Sequence, residues 1–201
     1  SVHDLQARLA AGKIDLIDVR SPAEYAGGHV PGARSLPLDR LSAEAVVEAQ
    51  LIAFYLPMHT ATRLAAPLIE RARAIHPGAR LCCYGLYAAM NADYLRSLGV
   101  ETILGGEFED GLRRLASGVA PSGLVSLDRV SFGKPDRSTL PPLSRYAAIE
   151  VNGERRVTGY TEASRGCKHL CRHCPVVPVY QGKFRAVPAE IVLADIRQQV
   201  E

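Results

Sequence analysis

The sequence predicts an α/β protein with a doubly wound, mostly parallel sheet, followed by a linker and one further strand–loop–helix unit. Three observations predict it. Short apolar runs alternate with amphipathic segments at the spacing of βαβ units. Gly and Pro punctuate the ends of these runs. Across residues 117–146 the composition turns to Gly, Pro and Ser, with Pro121, Pro135, Pro141 and Pro142 breaking any periodicity. A chain of 201 residues that is 47% hydrophobic is long enough to bury such a core.

The elements follow in order. A short helix over 2–11 closes at Gly12, and the apolar run 14–19 reads as a strand. In "SPAE", Ser21 is placed to cap a helix, Pro22 suits its first turn and Glu24 completes a capping box; Gly27-Gly28 ends it. Strands are predicted over 51–56, 81–84 and 100–104, each followed by a helix, at 60–75, 88–98 and 107–115. After the linker, two strands over 147–151 and 155–160 flank Asn152-Gly153, a hairpin signal because both residues tolerate positive φ. The second strand is expected to run on into a cysteine-containing loop, and 188–200 has the apolar spacing of a helix.

Net charge is +3 and charged residues make up 22%, so no single-sign field points to nucleic acid or a membrane surface. No apolar run approaches the ~20 residues that span a bilayer. The start, Ser1-Val2-His3-Asp4, lacks the basic and apolar stretches of a secretion signal, which places the expected location in the cytoplasm. Five cysteines, an odd number clustered at 82–83 and 167–174, do not make a disulfide framework; in a reducing compartment they favour metal or redox chemistry.

Cys167, Cys171 and Cys174 are spaced C-x3-C-x2-C, close enough for one loop to wrap three thiolates around a single centre. Zinc would want a fourth ligand, which His169 or His173 could supply, but structural zinc usually ties two separated ligand pairs together. A four-iron cluster on three thiolates would keep one iron open for chemistry. Basic Arg165, Lys168, Arg172, Lys183 and Arg185 surround the loop, either for solubility or to balance cluster charge.

The run "SRGCKHLCRHCP" after a strand resembles the signature of the radical S-adenosylmethionine (radical SAM) enzymes. That resemblance implies a 4Fe-4S cluster on Cys167, Cys171 and Cys174, S-adenosyl-L-methionine on the open iron, and His173 near the adenine in place of the usual aromatic residue. It also implies reductive cleavage of S-adenosylmethionine, and an electron donor such as flavodoxin or ferredoxin. Upstream, "FYLPMHT" and "CYGLYAAMNADYLRSLGVETILGGEFEDGL" resemble the cobalamin-binding domain that precedes some of these enzymes. Gly85, Gly105, Gly106 and Glu107 would then line a ligand crevice at strand ends, where small residues let a flat macrocycle approach. No D-x-H-x-x-G motif is present, so no histidine ligand to cobalt is implied, and His59 reads as a loop or capping residue.

The first residues resemble a different family. "IDLIDVRSPAEYAGGHVPGARSLPL" is similar to the opening motif of rhodanese sulfurtransferases, which carry sulfur as a persulfide on a cysteine that ends a later strand. By position that cysteine is Cys83, although Tyr84-Gly85-Leu86-Tyr87-Ala88-Ala89 contains no Arg, Lys, Ser or Thr to hold a sulfur anion. The alternative for Cys82 and Cys83 is buried packing, with Asp18, Arg20 and His29 structural.

These readings divide the chain into a composite domain over 1–116 (rhodanese-like over 1–41, cobalamin-binding-like over 51–116), a linker over 117–146, and the start of a radical SAM domain over 147–201. The chain ends at Glu201, whereas a (β/α)8 barrel takes ~250 residues. The expectation is therefore a truncated barrel with impaired turnover and with Ile191, Leu193 and Ile196 partly exposed. A sulfurtransferase or persulfide carrier and a zinc-binding module are the competing functions.

Overall fold

A computed structural model of the chain describes residues 15–18, 34–35, 46, 49–138, 140, 142–145 and 148–200. The predicted helices at 2–11 and after Ser21, with Arg20 and His29, lie outside the described residues. Six parallel strands form one sheet: β1 (Asp15–Asp18), β2 (Arg34–Ser35), β3 (Leu51–Tyr55), β4 (Arg80–Tyr84), β5 (Thr102–Gly106) and β6 (Val125–Ser126), in the spatial order β2-β1-β3-β4-β5-β6.

After their first residues the central strands are apolar, because both faces are covered. Successive side chains point to opposite faces. Ile52, Phe54, Leu81, Cys83 and Ile103 pack with Ala65, Leu68, Ile69 and Ala72 of helix α1 (His59–Ile75), and with Ala88, Ala92 and Leu95. Leu51, Ala53, Cys82, Tyr84 and Leu104 pack on the other face with Leu112 and Leu115 of α4 (Glu109–Ala116). The doubly wound prediction therefore holds for this half of the chain.

Boundaries differ in instructive places. The single helix predicted over 88–98 is two, α2 (Leu86–Met90) and α3 (Ala92–Ser97). They part at Asn91 (φ −112°), whose side chain donates to the Tyr87 carbonyl at 2.7 Å and competes with the helical ladder. The predicted linker contributes β6, which accepts ladder hydrogen bonds from Gly105 and Glu107 through Leu124 O and Ser126 O, both at 2.8 Å. The same segment is fastened further on by Arg137.

Beyond the linker, β7 (Ala148–Val151) and β8 (Glu154–Val157) form the expected hairpin, with Asn152 at φ 54° and Gly153 at φ 78°. The second strand stops at Val157 instead of running into the cysteine loop. The loop leaves a separate strand, β9 (Ser164–Gly166), which pairs antiparallel with β10 (Phe184–Ala186). Between them lies α5 (Val176–Tyr180), and α6 (Ala189–Val200) follows. A barrel begins with a parallel βα unit; here the strand beside the cysteines turns back on itself in an antiparallel ribbon, so the expected first unit of a radical SAM barrel is corrected.

Helix α6 keeps Leu193 and Ile196 exposed, at 50% and 41%, with Ile191 half-buried, as its sequence predicts. Its anchor is polar. Asp195, 1% exposed, takes a bidentate pair from Arg137 at 2.6 and 2.9 Å and a hydrogen bond from Gln198 at 2.7 Å. Arg137 also donates to Tyr160 O at 2.7 Å and lies 4.8 Å above the Tyr160 ring.

Burial pushes the Asp195 carboxyl up, but hydrogen bonds from Arg137, Thr161 and Gln198 outweigh it and hold the group below its ordinary 3.8. A lowered folded value stabilises above the ordinary value and is lost as pH falls through the folded one. Urea midpoints should therefore fall on acidification below pH 3.8, and Asp195→Asn should flatten that limb. Among core positions, Leu68→Ala is expected to cost about 2–5 kcal/mol by chemical denaturation, whereas Leu193→Ala should change stability by less than about 0.5 kcal/mol.

Candidate functional site

The residues predicted to carry chemistry fall into two groups. Cys82 and Cys83 lie inside β4 with no exposed surface, one on each face of the sheet. Burial pushes both thiols well above their ordinary value, with Glu101 adding to the effect at Cys82 and the neighbouring Cys82 adding to it at Cys83. Reactive cysteines need the opposite environment, exposed and electropositive.

In the turn after β4, two amides are already committed. Gly85 N–H donates to Leu104 O at 2.9 Å, and Tyr87 N–H to Leu56 O at 2.9 Å. These two amides close the turn onto β5 and onto the end of β3, so neither is free to hold a sulfur anion beside Cys83. Packing is the role the geometry gives to both thiols.

The predicted glycine crevice is filled by the protein itself. Gly85 has φ 108°, and a Cβ there would come within 2.9 Å of Leu56 O. A Cβ on Gly105 would meet Ala89 Cβ at 2.5 Å, and one on Gly106 would meet Ser126 O at 2.1 Å. The glycines exist because α2 and β6 press directly on β5. The space a macrocycle would need at this turn is taken, which corrects the cobalamin-binding role of Gly85, Gly105 and Gly106.

Glu107 serves a different contact. It is 1% exposed, and its Oε2 accepts from Arg165 Nη1 at 3.0 Å. Arg165 also donates to Glu109 and, through Nε, to Glu162 at 2.9 Å. The guanidinium sits 5.4 Å from the Phe132 ring centre and 6.0 Å from that of Phe108. Burial pushes the Glu107 carboxyl up and prevails over the hydrogen bond and charge of Arg165. Its other oxygen, Oε1, is buried and has no hydrogen-bond partner among the described residues.

This cluster places the cysteine loop. Arg165 belongs to β9, immediately before the loop, and Glu107 directly follows β5. After the loop, α5 packs against α2 and β5 and buries Val179 and Tyr180. Gly166 turns at φ 71°, where a Cβ would come within 2.2 Å of Lys183 O and 2.7 Å of the Tyr180 ring. Both ends of the loop are thus pinned at the carboxyl edge of the parallel sheet, where open α/β sheets bind ligands.

Within the loop, Cys171 is exposed and Cys167 and Cys174 are half-buried; all are free thiols. Cys174 N–H donates to Cys171 O at 3.3 Å, so the two cysteines end one tight turn. His169 and His173 are exposed. Of the surrounding cations, Arg165 is spent on carboxylates and Arg185 donates to Leu127 O at 2.6 Å, while Lys168 lies 5.7 Å above the Phe184 ring. Among the described residues, no three His, Cys, Asp or Glu side chains are gathered in a way that would hold a metal ion. No helix among them is long and apolar enough to cross a membrane.

Comparison with known proteins separates the two halves. Residues 1–71 match the rhodanese-like domain. A thiosulfate sulfurtransferase of Azotobacter vinelandii is 61% identical over 31 residues, which is 15% of this chain and 11% of that protein. The chain thus spans about a tenth of that relative. No solved structure matches the chain.

These findings overturn the radical SAM reading. The family match is to the rhodanese-like domain, and it continues past residue 41 through β3 and most of α1, which the sequence had assigned to a cobalamin-binding half. With the antiparallel β9–β10 ribbon and the ungathered thiols, nothing supports a 4Fe-4S radical enzyme or an adenine-facing role for His173. S-adenosylmethionine, cobalamin and the flavodoxin- or ferredoxin-type donor hung on those resemblances, and no residue pattern outside them asks for these groups.

The Arg165 cluster is the contact that sequence reasoning missed. An arginine beside the loop carried no signal of Glu107 and Glu109, which lie 58 and 56 residues away in the chain. Arg165→Ala leaves the buried Glu107 without its cation, and removing one member of such a pair costs about 3–5 kcal/mol. The loop thiols should then react faster with an alkylating reagent, while Arg165→Lys should keep part of the stability; both are read by denaturation and by timed thiol labelling.

Proposed function

We propose that this chain is a sulfur-handling protein built on a rhodanese-like domain, acting as a sulfurtransferase or persulfide carrier. The observation that carries this reading is the family match over 1–71, whose later part coincides with β1, β2, β3 and most of α1 of the parallel sheet. The short, high-identity likeness to a protein named thiosulfate sulfurtransferase supports the same chemistry.

Sulfur transfer of this kind needs a thiolate. It attacks the outer sulfur of a donor such as thiosulfate, the sulfur–sulfur bond breaks, and sulfite leaves with the bonding pair. The resulting persulfide passes its terminal sulfur to an acceptor nucleophile. The matched segment contains no cysteine, since all five lie at positions 82, 83, 167, 171 and 174. The sulfur-bearing thiolate is therefore supplied by residues beyond the match.

The test is thiocyanate formation from thiosulfate and cyanide. The full chain is expected to form thiocyanate above the protein-free rate, and chain alkylated in its native state with iodoacetamide is expected to lose that activity. A chain that forms no thiocyanate, and that gains no sulfur by mass spectrometry after thiosulfate or polysulfide treatment, would overturn the reading.

A further inference from the structure

We infer that the sulfur site is the loop of Cys171 and Cys174, where one thiol accepts a sulfane sulfur and the other expels it as hydrosulfide by closing a disulfide. The inference rests on the sulfur-transfer reading and adds to it the residues, the order of steps and the product.

Four observations carry it. The segment that resembles a sulfurtransferase brings no thiol of its own. The cysteine that position would choose, Cys83, is sealed in β4, and two amides of the following turn are committed to Leu104 and Leu56. The loop thiols are the accessible ones, with Cys171 exposed, and they are held at the carboxyl edge of the sheet by Arg165 on one side and α5 on the other. Lastly, the turn bond from Cys174 N–H to Cys171 O brings the two Cα atoms within the ~7 Å of a β-turn. A disulfide bridges Cα atoms ~4.4–6.8 Å apart, so the pair can close with little backbone movement.

The steps balance. The Cys171 thiolate attacks the outer sulfur of thiosulfate, and sulfite leaves with the electron pair of the broken sulfur–sulfur bond. On the protonated persulfide, the Cys174 thiolate then attacks Sγ of Cys171. The 171–174 disulfide forms, the bond to the sulfane sulfur breaks, and hydrosulfide leaves with its electron pair. A dithiol reductant supplies two electrons and two protons to restore both thiols. Exposure makes Cys171 the acceptor, and half-buried Cys174 the resolving thiol.

The sequence makes the experiment clean. Trypsin cuts after Arg165, Lys168, Arg172 and Lys183, so Cys167, Cys171 and Cys174 fall on separate peptides, 166–168, 169–172 and 173–183, while Cys82 and Cys83 share 81–96. The full chain is treated with thiosulfate labelled in its outer sulfur, alkylated and digested without reductant. Labelled sulfide is expected in solution together with a disulfide joining 169–172 to 173–183, and label stays on 169–172 only in molecules whose disulfide has not yet closed. In Cys174→Ser the persulfide on Cys171 should accumulate while sulfide release falls at least about tenfold, as expected when the resolving thiol is removed. Cys174 sits half-buried in a loop turn, and an unchanged urea midpoint shows that the serine variant folds.

Label on 81–96 with 169–172 unlabelled would sink this inference and leave the sulfur-transfer reading standing. Absence of label from every cysteine, together with absence of thiocyanate, would sink both. Stoichiometric zinc or iron on the isolated chain, released by Cys171→Ser and protecting the loop from labelling, would also overturn it by giving these thiols a metal.

Discussion

Arg165 shares its one positive charge among Glu107, Glu109 and Glu162, and because Glu107 is buried this sharing cannot be loosened without leaving a carboxylate in the core. Its position gives it reach. It stands on β9 one residue before the Gly166 turn and just ahead of the cysteine loop, and its distant partners stand just after β5 (Glu107) and at the start of α4 (Glu109). The guanidinium therefore joins two parts of the chain that share no strand ladder. The aromatic faces of Phe108 and Phe132 cover it and keep water from screening the contact.

The parallel sheet beneath is the condition for that contact. Its central strands bury both faces, so nothing polar can be spared within them, and polar groups collect at the strand ends. There the glycines at 85, 105 and 106 let α2, β3 and β6 approach without side chains between them. A crevice lined by small residues and a junction packed by small residues have the same composition. The difference lies in what occupies the space, and at this turn the chain's own backbone does.

The same logic divides the five thiols. Cys82 and Cys83 alternate across β4 and behave as small apolar groups, with desolvation holding them protonated. Cys167, Cys171 and Cys174 sit outside the core on a loop whose two ends are clamped. A clamped loop with an exposed thiol combines access with a held geometry, which free loops lack.

Much of this was legible in the sequence. The alternation of apolar runs and amphipathic segments determined the parallel α/β half and the Asn152-Gly153 turn determined the hairpin, because each depends on neighbours in sequence. The opening motif announced the rhodanese-like start. The cysteine spacing did not determine what the cysteines do, since C-x3-C-x2-C says only that one loop can gather thiolates and not that it does. The split at Asn91, the strand hidden at Val125–Ser126 and the antiparallel turn of β9 onto β10 were decided by tertiary structure. So were the filling of the glycine crevice and the pairing of Arg165 with Glu107. Each of these depends on which distant segment comes to lie against a residue, and local propensity carries no record of that.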